Sequence, residues 1–209
     1  MKLIASPEAV VFDLLTALLD SWSLWNRAAG SAEGGLRWRK AYLTLTYGCG
    51  AYRPYEDLVR EAAAEADIPL TAADALTAHW NTLQPWPEVS RVLGGLSARG
   101  IRLGVVTNCS TMLGRQAADR VGVSFSVVVT SEETGYYKPH PQPYRAALDR
   151  LGTDPARTLF VAGSPADIPG AAGVGMPVFW HNRAGLPFVA DTARPLLIAD
   201  TLDPLVELL

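Results

Sequence analysis

The sequence predicts an α/β protein with a doubly wound parallel sheet and a helical segment inserted after the first strand. Short apolar runs alternate with segments of helical periodicity, which is the pattern of strands joined by right-handed helical crossovers. Residues 20–85 interrupt the alternation, because they contain helical patterns and no convincing strand. We therefore predict an α/β core formed by residues 1–19 and 86–209, with residues 20–85 as a helical cap above the carboxyl ends of the strands.

The composition fits a globular protein that acts on a small molecule. The 209 residues are 49% hydrophobic and 19% charged, and a net charge of −3 offers no surface for nucleic acid. The two cysteines and three histidines show no spacing typical of a metal site. The amino-terminal segment is too short for a signal peptide, and no apolar run approaches the length of about 18 residues that spans a membrane. We expect a cytoplasmic protein without a membrane partner.

The first predicted strand ends in Asp13. Val10, Val11 and Phe12 form an apolar run, as in a strand buried on both faces, and a second apolar run follows the carboxylate. Catalytic groups of open α/β sheets lie just beyond the carboxyl ends of strands, which makes Asp13 a candidate catalytic residue. The alternative is that Asp13 only caps a following helix.

Helical patterns fill residues 20–85. The first two are rich in aromatic residues and are punctuated by Gly30, Gly34 and Gly35, and the third is clearly amphipathic. The fourth is expected to start at a Thr71 cap and to run to Leu83. The predicted helices cover residues 18–29, residues 36–45, the segment from residue 55 to the proline at 69, and residues 71–83.

The α/β alternation resumes after a proline-rich connector at residues 84–88. Gly100 closes the next helix, and a short helix is expected at the carboxyl terminus. Further helices are predicted at residues 88–98, 111–121 and 143–151, and strands at 101–107, 126–129, 158–162, 177–180 and 195–199.

Three further loops carry polar side chains to the sheet edge where Asp13 is expected. Thr107 and Asn108 follow the second strand, where a hydroxyl and free amides can bind an anion or simply cap a helix. Lys138 leaves a segment braced by three prolines; a lone lysine is usually solvated, but an ammonium near Asp13 would keep that carboxylate ionised. Asp167 follows a small-residue turn, where it would either serve the site or complement a helix dipole.

These four loops, in this order, resemble the haloacid dehalogenase superfamily of hydrolases over nearly the whole chain. The resemblance places Asp13 at the family's nucleophile and Thr107 at its hydroxyl motif. It places Lys138 at the family's lysine and Asp167 at the acidic residue of its last loop. It also implies the Rossmann-like fold of the family, with residues 20–85 as its helical cap.

Two positions differ from the phosphatases of this superfamily. Their first loop reads Asp-x-Asp-x-Thr, and its second aspartate protonates the leaving group; Leu15 stands at that position here. Their last loop begins with Gly-Asp, whose aspartate binds Mg²⁺, whereas this chain has Gly163 and Ser164. The resemblance therefore implies a reaction that needs neither a metal nor another cofactor.

The same two losses are expected in the L-2-haloacid dehalogenase branch, because a halide leaves without a proton. Arg39 lies where that branch places the cap arginine that receives the halide, and Tyr144 matches its active-site tyrosine. A Trp-x-Asn-Arg-x-Gly stretch of the branch resembles residues 180–185. The first loop departs from the branch, since Ala17 replaces the threonine that holds the nucleophile; whether Thr16 takes over that role is left open.

We predict a hydrolase in which Asp13 attacks a carbon that bears a leaving group, and water then cleaves the ester. The resemblance implies a short 2-haloacid as substrate and a homodimer. The predicted catalytic residues are Asp13, Lys138, Asp167 and Arg39, and the predicted substrate-binding residues are Thr107, Asn108, Tyr144, Ser164 and Leu15. Two alternatives remain: a phosphatase with an atypical metal site, and a degenerate family member that binds a ligand without turnover.

Overall fold

The computed structural model describes residues 7–188 and 193–209. The strands are β1 (Ala9–Asp13), β2 (Arg102–Thr107), β3 (Val127–Thr130), β4 (Thr158–Ala162), β5 (Val178–His181) and β6 (Leu197–Ala199). They form one parallel sheet in the order β3-β2-β1-β4-β5-β6. This topology confirms the predicted doubly wound α/β fold class.

Strand β1 lies in the middle of the sheet, and all five of its residues are buried. Val10 and Phe12 pack into a hydrophobic cluster on one face, while Ala9 and Val11 pack into a second cluster on the other face. The strand order changes direction between β1 and β4. Asp13, the last residue of β1, therefore lies at the switch point where doubly wound sheets hold their ligands.

The sheet is accompanied by helices on both sides and by a helical block between β1 and β2. The described helices are α1 (Ser21–Ala28), α2 (Ala32–Gly48), α3 (Tyr55–Glu65), α4 (Leu70–Ala78), α5 (Val89–Ala98), α6 (Thr111–Arg120), α7 (Ser131–Thr134), α8 (Pro141–Leu151), α9 (Asp167–Gly173) and α10 (Leu205–Leu208). Short 3₁₀ turns lie at Trp80–Thr82 and Pro155–Arg157. The division into a core and a cap at residues 20 and 85 stays a prediction.

Helices α1 to α4 pack around a row of aromatic rings. Trp25 lies edge-on to Trp38, with ring centroids 4.6 Å apart, and Tyr55 lies between Tyr42 and Trp80 at 5.5 and 6.0 Å. The indole of Trp38 donates to a backbone carbonyl of α3, and that of Trp80 donates to the Leu113 carbonyl of α6, both over 2.8 Å. The helical block is thus tied to the rest of the protein through a buried hydrogen bond as well as apolar contact.

Several predicted helix boundaries are wrong, each for a local reason. The first helix starts at Ser21 rather than residue 18, because the Asp20 side chain caps it by accepting from the Ser23 amide. Gly34 and Gly35 lie inside α2 instead of ending a helix, and the absence of a Cβ lets Gly35 approach the backbone of Asn26.

The fourth helix also differs from its prediction. It begins at Leu70 after Pro69, so Thr71 lies inside the helix and is not its cap. It ends at Ala78, and the 3₁₀ turn Trp80–Thr82 takes the place of the last helical turn predicted up to Leu83. The prediction about a signal peptide concerns the amino terminus, and residues 1–6 lie outside the described residues. Among the helices described, none has the length and apolar character needed to span a membrane.

Candidate active site

Asp13, Lys138 and Asp167 meet at the carboxyl edge of the sheet. The Lys138 ammonium lies 2.7 Å from Asp13 Oδ1 and within 3.3 Å of both Asp167 oxygens. All three side chains are buried, with relative exposures of 7%, 3% and 5% in chain order. The three come from β1, the segment before α8 and the start of α9, so the fold assembles residues that are up to 154 positions apart (167 − 13).

The charges of this cluster stabilise one another. Burial alone would lower the pKa of Lys138, but the two adjacent carboxylates raise it well above its usual value. Burial would raise the pKa of Asp13, but the Lys138 charge and hydrogen bonds from Lys138 and Thr16 together hold it below its usual value. Burial and the neighbouring Asp13 charge raise the pKa of Asp167 to about 6, against the opposing effect of Lys138. Asp13 is therefore ionised at neutral pH, whereas Asp167 titrates at a pH just below neutral.

Asp13 Oδ2 receives three hydrogen bonds from the turn that follows β1. The Thr16 amide donates over 3.0 Å, the Thr16 hydroxyl over 2.6 Å and the Ala17 amide over 3.1 Å. Thr16 therefore supplies the hydroxyl that the change at Ala17 removes, which answers the question left open by the sequence. Gly163 faces this turn, and a Cβ there would clash with the Thr16 hydroxyl and lie 2.8 Å from Asp13 Oδ2.

Asn108 and Thr107, both predicted to bind substrate, make hydrogen bonds within the protein. The Asn108 side chain accepts from the Lys138 amide at 2.7 Å and donates to the Lys138 carbonyl at 3.1 Å. The Thr107 hydroxyl is fully buried and donates to Cys109 Sγ at 3.3 Å. Asn108 thus fixes the backbone that carries Lys138, and a substrate-binding role for either residue stays a prediction.

Tyr144 and Ser164 lie on the Asp167 side of the cluster. The buried Tyr144 hydroxyl donates to Asp167 Oδ1 at 3.2 Å. Ser164 Oγ accepts from the Ala166 amide at 3.3 Å. Tyr47 belongs to α2 and is 43% exposed, but partial desolvation of its hydroxyl and the nearby Asp167 charge raise its pKa to about 12. Tyr47 was not among the predicted site residues, because no motif or spacing in the sequence singles it out from the other aromatic residues of α2.

Arg39 is not brought into contact with Asp13. Its guanidinium donates to Asn26 Oδ1 at 3.0 Å and to the Trp22 carbonyl at 3.2 Å, and it lies 4.8 Å from the Trp22 ring centroid. Burial lowers the pKa of Arg39 to about 10, against the effect of Asp20. Leu15 is half-buried and packs against the large hydrophobic cluster next to the site.

A cavity of about 240 Å³ adjoins the Asp13 turn. Its lining includes Thr16 and Gly163 on the side of Asp13 and Trp22, Trp86, His181 and Arg183 on the other sides. The Arg183 guanidinium lies 4.5 Å from the Trp86 ring centroid and pairs with Glu88. Residues 180–185 had pointed to Arg183 only through the resemblance, and nothing in the sequence had pointed to Trp86 or His181.

The donor set of this site does not fit a divalent metal ion. An ammonium occupies the space between the two carboxylates, and the positions that would add acidic ligands hold Leu15 and Ser164. Within residues 7–188 and 193–209, no group of three or more His, Cys, Asp and Glu side chains is arranged to hold a metal.

Known proteins share both the sequence pattern and the fold. The family model for haloacid dehalogenase-like hydrolases matches residues 8–175. The chain is 28% identical to haloacetate dehalogenase H-2 of Moraxella sp. (strain B), over 97% of each chain. It is 30% identical to a glyceraldehyde 3-phosphate phosphatase of Methanothermobacter thermautotrophicus, over 97% of this chain and 99% of the relative.

A solved structure adds the three-dimensional comparison. The crystal structure of an L-2-haloacid dehalogenase superposes with a TM-score of 0.86 at 29% identity, covering 97% of this chain and 98% of the other. The match thus includes the helical block as well as the sheet. With its buried Asp–Lys–Asp cluster at the switch point of the sheet, the chain belongs to the haloacid dehalogenase-like hydrolase family.

Proposed function

We propose that this protein hydrolyses the carbon–halogen bond of a short 2-haloacid through an ester formed on Asp13. The observation that carries the proposal is a buried, ionised Asp13 paired with Lys138, with Leu15 at the position where a phosphatase needs its acid. A halide leaves as a stable anion and needs no proton, whereas an alkoxide leaving group does. The similarity to haloacetate dehalogenase H-2 supports the same choice of leaving group.

In the first step Asp13 Oδ1 attacks the substrate carbon. Oδ2 already accepts three hydrogen bonds, while Oδ1 accepts only the bond from Lys138 and keeps a lone pair free. The new Oδ1–carbon bond forms as the carbon–halogen bond breaks, and the halide departs with the bonding electrons. Lys138 and the anion-binding loop at Thr107 and Asn108 would hold the substrate carboxylate, and Arg39 would receive the halide from its place beside Trp22.

In the second step water attacks the carboxyl carbon of the Asp13 ester. Negative charge then develops on Oδ2, where the Thr16 amide, the Thr16 hydroxyl and the Ala17 amide already point. Donors aimed in advance at a developing charge stabilise the transition state. Asp167, whose pKa of about 6 suits a general base, would accept the proton of the water and return it to the departing 2-hydroxy acid.

The test is a single-turnover reaction in ¹⁸O-labelled water with unlabelled enzyme. We expect an unlabelled hydroxy acid and label on Asp13, because the product takes its oxygen from the carboxylate. A halide-release screen over short haloacids supplies the substrate, and Asp13→Asn is the inactive control. Label in the product of the first turnover would contradict the ester mechanism.

A phosphatase is the second candidate, since one full-length relative at 30% identity is a glyceraldehyde 3-phosphate phosphatase. Leu15 and Ser164 argue against it, because they remove a proton donor and a metal ligand. Phosphate release from an aryl phosphate that depends on added Mg²⁺, with no halide release from any haloacid, would favour the phosphatase over our proposal.

A further inference from the structure

The Thr16–Ala17 turn is held from outside by two side chains distant in sequence. Trp86 Nε1 donates to the Thr16 carbonyl at 3.0 Å, and His181 Nδ1 lies 2.9 Å from the Ala17 carbonyl. Thr16 and Ala17 are the residues whose amides and hydroxyl face Asp13 Oδ2. The connector before α5 and the end of β5 thus contact the backbone of the turn on the side away from the nucleophile.

Trp86 acts on the peptide group that faces Asp13. The Thr16 carbonyl and the Ala17 amide belong to the same peptide, so a donor on the carbonyl polarises the group and strengthens the amide as a donor. Trp86 is itself fixed, because its backbone amide donates to the Leu18 carbonyl at 3.0 Å and Arg183 covers its ring. The indole therefore orients the donor turn from a rigid position.

His181 holds the next carbonyl of the turn. His181 is 1% exposed, and its Nε2 accepts from Arg183 Nε, which leaves Nδ1 as the protonated nitrogen of a neutral ring and the donor to the Ala17 carbonyl. Nε2 lies 3.2 Å from the Asp200 carbonyl, 3.4 Å from Arg183 Nε and 3.8 Å from a Glu88 oxygen. Burial lowers the pKa of His181, so the ring is neutral near pH 7 and Nδ1 remains its donor.

We propose that Trp86 and His181 are positioning residues for ester hydrolysis, which they support by holding the Thr16–Ala17 donors against Asp13 Oδ2. The inference rests on the proposed function, because it gives the turn the task of stabilising the negative charge that develops on Asp13 Oδ2 in the second step. The inference also predicts different effects on the two steps. Negative charge accumulates on Oδ2 during hydrolysis of the ester but not during alkylation of Oδ1. Loss of either side chain therefore slows the second step more than the first.

The experiment compares Trp86→Phe and His181→Leu with the unchanged protein. We expect each variant to hydrolyse its ester about tenfold more slowly, a smaller effect than the loss of a direct oxyanion donor. First-turnover halide release should stay within about twofold, since it precedes hydrolysis. Intact-protein mass spectrometry of quenched reactions should then show a larger fraction of chains carrying the covalent adduct at steady state.

Two matched variants separate positioning from folding. Trp80→Phe removes the buried hydrogen bond of 2.8 Å from the Trp80 indole to the Leu113 carbonyl of α6, away from the Thr16–Ala17 turn, and should lower stability without raising the adduct fraction. His181→Asn keeps a donor near the position of Nδ1 and should restore ester hydrolysis that His181→Leu loses. If Trp86→Phe and His181→Leu slow both steps equally, or behave as Trp80→Phe does, the inference is overturned. If the unchanged protein releases no halide and forms no adduct, the proposed function itself has failed.

Discussion

The two carboxylates of the site differ because they receive different hydrogen bonds. Asp13 accepts from Lys138 and from three donors of the turn, whereas Asp167 accepts from Lys138 at a longer distance and from the Tyr144 hydroxyl. Burial acts to raise the pKa of both carboxylates, but only at Asp13 do the Lys138 charge and the hydrogen bonds outweigh it; the pKa of Asp167 stays raised. Environments that push two neighbouring pKa values apart are typical of a site that needs one nucleophile and one base.

Turnover should fall as the pH drops through about 6, because protonated Asp167 cannot accept a proton from water. Asp13 stays ionised over this range, so first-turnover halide release should change little. Steady-state rates and first-turnover halide release, measured from pH 5 to pH 8, check both expectations. A first-turnover rate that falls together with turnover would place the titrating group in the alkylation step instead.

The same titration of Asp167 should make the protein less stable as the pH rises, although it makes the enzyme more active. Because its pKa is raised on folding, the native state holds this proton more tightly than the unfolded chain, and stability is lost as the pH rises from about 4 through about 6. The free energy of unfolding of the unchanged protein, minus that of Asp167→Asn, should therefore fall across this range. Urea denaturation at three pH values measures the difference, and a rising difference would contradict the assigned shift.

At the scale of single residues, the sequence predicted the charged side chains of the site but not the side chains that hold the neighbouring backbone in place. Asp13, Lys138 and Asp167 each follow a strand end or a rigid segment, so topology alone brings them together. Trp86 and His181 bond to backbone carbonyls far along the chain, and such contacts leave no spacing pattern. Arg39 was predicted from the resemblance to the L-2-haloacid dehalogenase branch, and its contacts with Asn26 and Trp22 depend on how α1 and α2 pack here.

Among the structural elements, the turn after β1 and the loop after β4 are in close contact. Gly163 faces both Asp13 Oδ2 and the Thr16 hydroxyl, and there is no room for a Cβ at this position. The position of the turn thus depends on a missing side chain in a loop that begins 150 residues later (163 − 13). A small-residue turn was visible in the sequence, but the contact that requires it was not.

Gly163→Ala should displace the Thr16 side chain and lower turnover by about 100-fold, the scale of losing an oxyanion donor. The added methyl group should also destabilise the fold by about 1–3 kcal/mol, as overpacking does in a close-packed region. Halide release and urea denaturation measure the two effects. Unchanged turnover would mean that the Thr16 hydroxyl is not needed where the structure places it.

Gly173→Ala is the matched control on the neighbouring helix. Gly173 is the last residue of α9, is exposed, and a Cβ there would meet nothing within 4 Å. The substitution should leave turnover unchanged and raise the free energy of unfolding by up to about 1 kcal/mol, since alanine favours a helix more than glycine does. A loss of activity in Gly173→Ala would show that α9 tolerates no change, and Gly163→Ala would then say nothing about Thr16.

Helix ends were the least predictable feature of the elements. All six strands were found within one or two residues, and β1, β4 and β5 follow from apolar runs that are buried on both faces. The block of helices α1 to α4 was also predicted, but Gly34 and Gly35 were read as breaks. Gly35 packs against Asn26 of α1 with no room for a Cβ, which is a tertiary reason for a glycine inside a helix that local propensity cannot indicate.

At the scale of the whole molecule, the helical block and the sheet share one hydrophobic cluster. That cluster contains Trp38 and Tyr55 of the block together with Phe12 and Phe179 of the sheet. Polar contacts join the same surfaces: the Tyr42 hydroxyl donates to the Asn108 carbonyl at 3.0 Å, and the Ser110 hydroxyl donates to Glu56 at 2.7 Å. Lifting the block would expose this apolar surface to water, so the block and the sheet should unfold together.

Cys109 can report on this coupling. Its thiol is fully buried in the shared cluster with Tyr42 and Tyr55, and burial raises its pKa to about 12. In a Cys49→Ser background, we expect Cys109 to react with a thiol reagent only through global unfolding. The labelling rate should then rise with urea as steeply as the unfolding equilibrium does, because both report the same exposed surface.

Cys49 supplies the contrast, because it caps the end of α2 and is only partly buried. In Cys109→Ala, the Cys49 thiol should react quickly and almost independently of urea. If Cys109 instead reacts at a rate that urea does not change, the helical block separates from the sheet while the sheet stays folded. Substrate would then reach Asp13 beneath a lifted block. Urea-dependent labelling of Cys109 would instead mean that the block stays on the sheet, and would favour entry through the cavity lined by Thr16, Trp22 and Arg183.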